Sequence, residues 1–324
     1  MKILFLRGAV PTDRDPNEIV FNKIEDVDDV WTQLIFAMTE SEDQTELWYW
    51  GGNRTKQFTG NFIERWIPSF SDNNLPNFEP DIIFCRGGFP EYDIILNKFE
   101  NSYAYKIYYG AGKRYLPQTK FTNYNLILQD SPEQLKECRK KFPNIRSELF
   151  IKPAPDNIFY SREVKKEYDI CFPANATQKF KGHDFVYGTK PKELSLLNLG
   201  NSSASFKFPE NVVSYRVLKS QMPDHICKCK MGIVVVDNQY DSCPRVIPEM
   251  IACGIPIVIL DSVRFWKDKY IVSGITGELA TKNNFWEVVR KVLNNNDQYN
   301  PLKYYSWNLS MRVAARHIRN LIKE

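Results

Sequence analysis

Two carboxylates eight positions apart, Asp241 and Glu249, bracket the stretch of this chain whose residue types best fit chemistry. Asp241-Ser242-Cys243-Pro244-Arg245 reads as a polar turn carrying one cation. Pro248–Cys253 reads as a short apolar helix, with Pro248 in the first turn, where a missing N–H costs nothing. Gly254 suits the left-handed position after that helix, and Pro256 prevents its continuation. Ile255–Leu260 then reads as a buried strand. This order brings both carboxylates and a helix N-terminus to one edge of a sheet. Free helix N–H groups there stabilise phosphate charge, and the Arg245 guanidinium pairs with the same charge. Glu249 is able to accept two hydrogen bonds from adjacent ribose hydroxyls, and Asp241 to accept from hydroxyls on a sugar. Taken singly, an Asp capping a turn and a Glu complementing a helix dipole are commonplace. Their combination with the flanking pattern points to a ligand bearing both hydroxyls and phosphates.

The elements that must position these residues follow from the hydrophobic pattern. Short apolar runs read as strands at Lys2–Leu6, Leu47–Trp50, Asp81–Cys85, Lys106–Tyr109, Asn125–Leu128, Tyr168–Phe172, Val212–Ser214, Gly232–Val236 and Ile255–Leu260. Amphipathic stretches read as helices at Asp28–Met38, Tyr92–Asn97, Pro132–Phe142, Asp184–Leu196, Pro248–Cys253, Asn284–Leu293 and Pro301–Ile322. Such alternation, with near-continuous apolar strands, predicts an α/β fold of parallel sheets covered on both faces. The pattern starts twice, at Met1 and again at Glu167. The proline-stiffened stretch from Ile151 to Tyr160 lies between the two starts. The expectation is therefore two Rossmann-like domains, 1–153 and 154–324, with parallel sheets facing a central cleft. The last helix, within about 301–324, is expected to pack back on the first domain.

The segment around Glu249 resembles the signature of retaining glycosyltransferases of the GT-B fold, family 4. That family carries Glu, seven residues, then Glu-Ala-Met-Ala-Cys-Gly-x-Pro-Val. Here Asp241 is followed by seven residues and then Glu249-Met-Ile-Ala-Cys-Gly-Ile-Pro-Ile257. The first acid is Asp in place of Glu, and Pro248 stands where the family usually has Leu. The similarity extends over most of 168–293, including Thr276-Gly277-Glu278-Leu279, and is weak in the first half. The family's Gly-Arg…Lys-Gly element, whose cations hold the donor diphosphate, falls on Phe172 to Gly182. Lys181-Gly182 matches it. Asn175 or Ala176 occupies the place of the Arg, so Lys179 or Arg245 must compensate. The family reads its base through a loop that corresponds to Val213–Val217, which includes Tyr215.

The resemblance implies Lys181, Asp241 and Arg245 as the groups acting on the reacting centre. It implies donor contacts from Glu249, Ser242, Cys243, Pro244, Tyr215, Gly182 and Gly8. It implies an acceptor side in the first domain, where Arg86, Lys113 and Arg114 follow strand ends in glycine turns. The expected reaction moves a hexose, mannose from GDP-mannose as the first choice, to a hydroxyl of a glycan or glycoprotein with retention of configuration. Protein cations do the work a metal would do, so no metal or other cofactor is expected. Two alternatives stay open: a nucleotide-sugar epimerase or hydrolase of the same fold, and a non-catalytic protein that binds nucleotide sugars or glycans.

Composition narrows the classes further. The chain has 324 residues, 43% hydrophobic and 25% charged, with a net charge of +4, which suits two ordered domains and argues against a nucleic-acid footprint. The seven cysteines are scattered, an odd number that reads as a reduced chain. No run is long and apolar enough for a signal or a membrane span, so a cytoplasmic protein is expected. A homo-oligomer is compatible with the sequence. Gly110-Ala-Gly112 lacks the third glycine of a dinucleotide fingerprint, Gly112-Lys113 is followed by Arg and is no P-loop, and Asp26-Val-Asp28 reads as an acidic helix start. The tryptophans read mainly as core.

Overall fold

A computed structural model describes residues 1–7, 27, 29–50, 54–59, 61–71, 75–87, 89–110, 123–175, 179–201, 207–236 and 243–324. The chain divides into two compact units, Met1–Ile151 with Ala314–Glu324, and Lys152–Val313.

In chain order, unit 1 contains β1 (Lys2–Arg7), α1 (Val30–Met38), β2 (Gln44–Trp50), β3 (Arg54–Thr59), β4 (Phe62–Ile67), β5 (Ile82–Arg86), α2 (Tyr92–Lys98), β6 (Tyr105–Tyr109), β7 (Leu126–Gln129), α3 (Pro132–Lys141) and β8 (Arg146–Leu149). The described strands form one sheet in the order β3-β4-β2-β1-β5-β6-β7-β8. Neighbours are parallel throughout except for the β3–β4 hairpin at one edge. Ile3 to Leu6 are all 0% exposed because successive side chains enter opposite, equally covered faces. Leu4 and Leu6 join Ile83, Cys85 and Tyr108 beneath Tyr92, Ile95 and Leu96 of α2. Phe5 meets Phe84 edge-on at 5.3 Å, and Trp31 of α1 stacks on Phe150 at 5.5 Å.

Unit 2 repeats the plan with β9 (Tyr168–Phe172), α4 (His183–Thr189), β10 (Leu196–Leu199), β11 (Val212–Tyr215), α5 (Met222–Ile226), β12 (Cys229–Val234), α6 (Val246–Ala252), β13 (Ile257–Leu260), α7 (Lys267–Tyr270), β14 (Gly277–Ala280), α8 (Phe285–Asn294) and α9 (Pro301–Asn308). Its sheet is wholly parallel, in the order β11-β10-β9-β12-β13-β14. That is the doubly wound nucleotide-binding order, with its reversal of direction between β9 and β12. The last helix, α10 (Met311–Lys323), begins in unit 2, and its residues from Ala314 belong to unit 1.

Several boundaries differ from expectation for local reasons. The helix expected over Asp184–Leu196 stops at Thr189, since the residue before Pro191 is steered out of the helical region, and Leu196–Leu199 is instead strand β10. The single long helix expected over Pro301–Ile322 is two. Leu309 ends α9, and the Asp156 carboxylate accepts from Met311 N–H at 2.9 Å to start α10 afresh. Helix α6 begins two residues earlier than expected, at Val246. Pro248 still falls within the opening turn, where no helical acceptor is lost. Gly254 has φ 76°, the left-handed conformation expected after that helix. All seven cysteines are buried and none is in a disulfide. Among the described residues no helix is long and apolar enough to cross a membrane.

Candidate functional site

In a doubly wound sheet the connections leaving the two central strands depart in opposite directions, and a crevice opens outside their carboxyl ends. In unit 2 those strands are β9 and β12. The crevice between their ends is lined by Phe172 of β9 with Pro173 and Ala174 just after it, and by Ile233 and Val234 of β12 with Val235 and Val236 just after it. Lys181, Pro244 and Val246 close its rim. The crevice is continuous with solvent.

Lys181 ends a short 3-10 turn over Lys179–Lys181, and its ammonium lies 5.2 Å from the Phe180 ring. Gly182 follows with φ 69° and caps α4. Its backbone runs so near Val235 that only glycine fits. His183 is buried against Phe172 and Tyr187. Burial is the main reason its imidazole is held below the usual range. Asn175, near the place of the family's Arg, is spent on structure: its Oδ1 accepts from Asn201 N–H at 2.8 Å, tying the turns after β9 and β10 together.

On the β12 side, Cys243 and Pro244 are buried and lead into α6, with exposed Arg245 at the N-cap. The Cys243 carbonyl accepts from the Lys152 ammonium at 2.9 Å. Glu249 lies in the first turn of α6 and is only 5% exposed. Among the described residues, none hydrogen-bonds or ion-pairs with its carboxylate. Neither carboxylate oxygen is sealed from solvent, so both stay open to a ligand. Four residues later, Cys253 closes the helix. Its thiol is pushed well up by a hydrogen bond with Cys227 and by burial, whereas the Cys227 thiol is brought down to about 6, mainly by that same bond.

The structure thus gathers Lys181, Gly182, Pro244 and the buried Glu249 helix around one strand end in unit 2. Asp241, Ser242, Gly8, Lys113 and Arg114 lie outside the described residues. Tyr215 sits on edge strand β11, 42% exposed, with its ring 5.2 Å from His225, and does not line the crevice. Arg86 ends β5 in unit 1, in register with Arg7, with its guanidinium 4.9 Å from the Trp31 ring. Among the described residues no group of three or more His, Cys, Asp or Glu is arranged as a metal site. Sequence reasoning missed two contributors. Val235 carries no chemical signal, and Lys152 sits in a proline-rich strap without periodicity. A lone charge between the apolar Ile151 and Pro153 was the available clue to the second.

No protein-family model matches the chain, and no characterised protein matches it by sequence. Solved structures do match its fold. Sucrose-phosphate synthase from Thermosynechococcus elongatus aligns with a TM-score of 0.71 at 10% identity, covering 99% of this chain and 98% of that one. A glycosyltransferase from Rickettsia africae aligns at 0.66 and 13% identity, over 99% and 97%. Anabaena HepE, in complex with UDP and glucose, aligns at 0.63 and 12% identity, over 100% and 99%. The chain has the α/β architecture of the GT-B glycosyltransferases, with a parallel sheet in unit 2 and, in unit 1, a sheet parallel but for one edge hairpin.

Proposed function

We propose that this protein is a glycosyltransferase that moves a hexose from a nucleoside-diphosphate donor to a hydroxyl of a glycan or glycoprotein, with retention of configuration and without a metal. The observation that carries the reading is the placement of Glu249, with no described hydrogen-bond partner, in the first turn of the helix whose Val246 lines a crevice rimmed by Lys181 at the switch point of unit 2. The fold supports the reading, since glycosyltransferases share it over nearly the whole chain.

In this mechanism the bond between the anomeric carbon and the leaving phosphate lengthens, the sugar becomes oxocarbenium-like, and negative charge grows on the diphosphate. Lys181 meets that charge, with Arg245 as the second cation in place of the missing family Arg. Glu249 accepts hydrogen bonds from the ribose hydroxyls and Asp241 from the donor sugar. The leaving phosphate takes the acceptor's proton, so no separate base is required. Such preorganised charge stabilisation does for the leaving group what a metal does elsewhere.

Two donors are put to the test. GDP-mannose is the expectation from the resemblance of the Asp241–Ile257 segment, and UDP-glucose is the ligand named for a HepE structure. Calorimetric titration with GDP-mannose, UDP-glucose, GDP and UDP, followed by product analysis with and without a glycan acceptor, decides between them. Binding of none of the four rejects the function. Release of nucleoside diphosphate with a free or epimerised sugar, at a rate no acceptor raises, would move the protein to the epimerase or hydrolase class. Binding with neither hydrolysis nor transfer would make it a nucleotide-sugar-binding protein.

A further inference from the structure

Lys152 is the first residue of unit 2, in a strap whose prolines, Pro153 and Pro155, fix its course. Two buried tyrosines clasp this strap. The Tyr270 hydroxyl accepts from Lys152 N–H at 2.7 Å and donates to the Lys152 carbonyl at 3.1 Å. The Tyr305 hydroxyl accepts from Ala154 N–H at 3.1 Å and donates to the Asp156 carboxylate at 2.5 Å. Tyr270 is 0% exposed, so its hold on Lys152 is not shared with solvent. With its backbone pinned on both sides, Lys152 has a fixed Cα from which its side chain extends to donate to the Cys243 carbonyl at 2.9 Å.

Cys243 directly precedes Pro244, which lines the crevice. Its side chain is 1% exposed, so the carbonyl that Lys152 holds belongs to an anchored point, not a free loop. An ammonium on a carbonyl is a charge-assisted bond, shorter and stronger than a neutral one. A lysine used only for solubility would keep its ammonium in water.

We infer that Lys152 is a positioning residue for the donor site: pinned by Tyr270, it seats the Cys243 carbonyl and so fixes the crevice wall at Pro244. The inference rests on the reading of this crevice as the nucleotide-sugar site, and it goes further in assigning a role to a residue outside the motif. The ammonium also brings a positive charge to the wall at which diphosphate charge develops.

The test compares wild type with Lys152→Met, Lys152→Arg and Tyr270→Phe. UDP and GDP serve as calorimetric probes, with donor KM, kcat and melting temperature measured in parallel. Met keeps the length of the stem and removes only the charge and the bond. Lys152→Met is expected to raise the Kd of the bound nucleotide and the donor KM by roughly tenfold, the scale of one hydrogen bond to a charged group, with kcat changed much less. Lys152→Arg should recover most of that loss. Tyr270→Phe, which frees the strap, should move Kd in the same direction by a smaller factor. A lowered melting temperature with Kd and KM intact would make Lys152 a stability residue and overturn the inference. So would an Arg variant no better than Met. A wild type that binds neither nucleotide overturns the donor reading and this inference with it, whereas a wild type that binds and a Met variant that binds equally overturn this inference alone.

Discussion

Gly182 and Val235 touch backbone to side chain across the mouth of the unit 2 crevice: a Cβ built on Gly182 would stand 2.3 Å from Val235 Cγ1 and 2.9 Å from its Cβ. The second distance means that rotating the valine does not relieve the clash. Gly182 also has φ 69°, where an L side chain is strained. Gly182→Ala should therefore cost about 1–3 kcal/mol of stability. It should also displace Lys181, its neighbour in sequence, and so weaken nucleotide binding. Thermal melting and calorimetry with UDP check the pair of effects. An unchanged melting temperature would show that the close approach is not a constraint.

Much of this frame was legible before any coordinates. Lys2–Arg7, Tyr105–Tyr109 and Tyr168–Phe172 are short apolar runs next to polar turns, and parallel strands buried on both faces look that way in sequence. The strands that escaped notice are those whose polar residues are satisfied inside the protein. In β4, Glu64 is buried but accepts from Trp66 Nε1 at 2.6 Å. The same holds for the start of β2, a strand expected only from Leu47: there Glu46 accepts from both Arg65 Nε and Trp48 Nε1 at 2.7 Å. In β14, Glu278 collects Ser273, Tyr299 and Lys291. A buried acid with such partners breaks the apolar pattern without breaking the core.

The site was legible to the same extent as its chemistry is local. Lys181-Gly182 and the Glu249 helix stand out because charged or special residues sit at fixed offsets from turns. Val235 and Lys152 act through distances in space: one against Gly182, the other on Cys243, 91 positions along the chain. Single-sequence reasoning has no access to such pairs.

Replacing Glu249 with Gln should separate stability from function. No described residue hydrogen-bonds or ion-pairs with this carboxylate, so removing its charge breaks no bond within the fold. Glu249→Gln is expected to leave the melting temperature unchanged or to raise it. Donor affinity should fall by roughly tenfold or more, the cost of weakening hydrogen bonds to a charged acceptor. Calorimetry with the preferred nucleotide sugar and a melting curve on the same sample measure both. Loss of stability with unchanged affinity would remove Glu249 from the donor site.

Lys181→Ala addresses the leaving group. If the ammonium stabilises the developing diphosphate charge, kcat should fall by roughly a hundredfold or more, on the scale of about 3 kcal/mol for one preorganised donor. The ground-state affinity for donor should change less, because the charge is larger in the transition state. Initial rates with and without EDTA complete the test. Turnover insensitive to the chelator is expected if protein cations alone neutralise the diphosphate; turnover abolished by it would require a metal in the mechanism.

Acid should weaken unit 1 at a defined place. Arg319 of α10 donates to the Met38 carbonyl at 2.6 Å and pairs with Glu40 at 3.0 Å and with Asp43. Burial by itself would raise the Asp43 carboxyl. The Glu40 N–H, the Met1 ammonium and Arg319 outweigh it and hold the group below 3.8. A carboxyl whose pKa is lower in the folded than in the unfolded chain stabilises the fold above the unfolded value, and that contribution fades as pH falls through the folded one. Melting temperature should therefore drop as pH falls below about 4, and Asp43→Asn should flatten that drop. At neutral pH the same variant should cost about 1–3 kcal/mol, since it leaves the half-buried Arg319 with a weaker partner. It should also speed hydrogen exchange in α10 more than in α3, because only α10 is held through Arg319. Equal exchange in the two helices would mean that the ion pair does not anchor the C-terminal helix to unit 1.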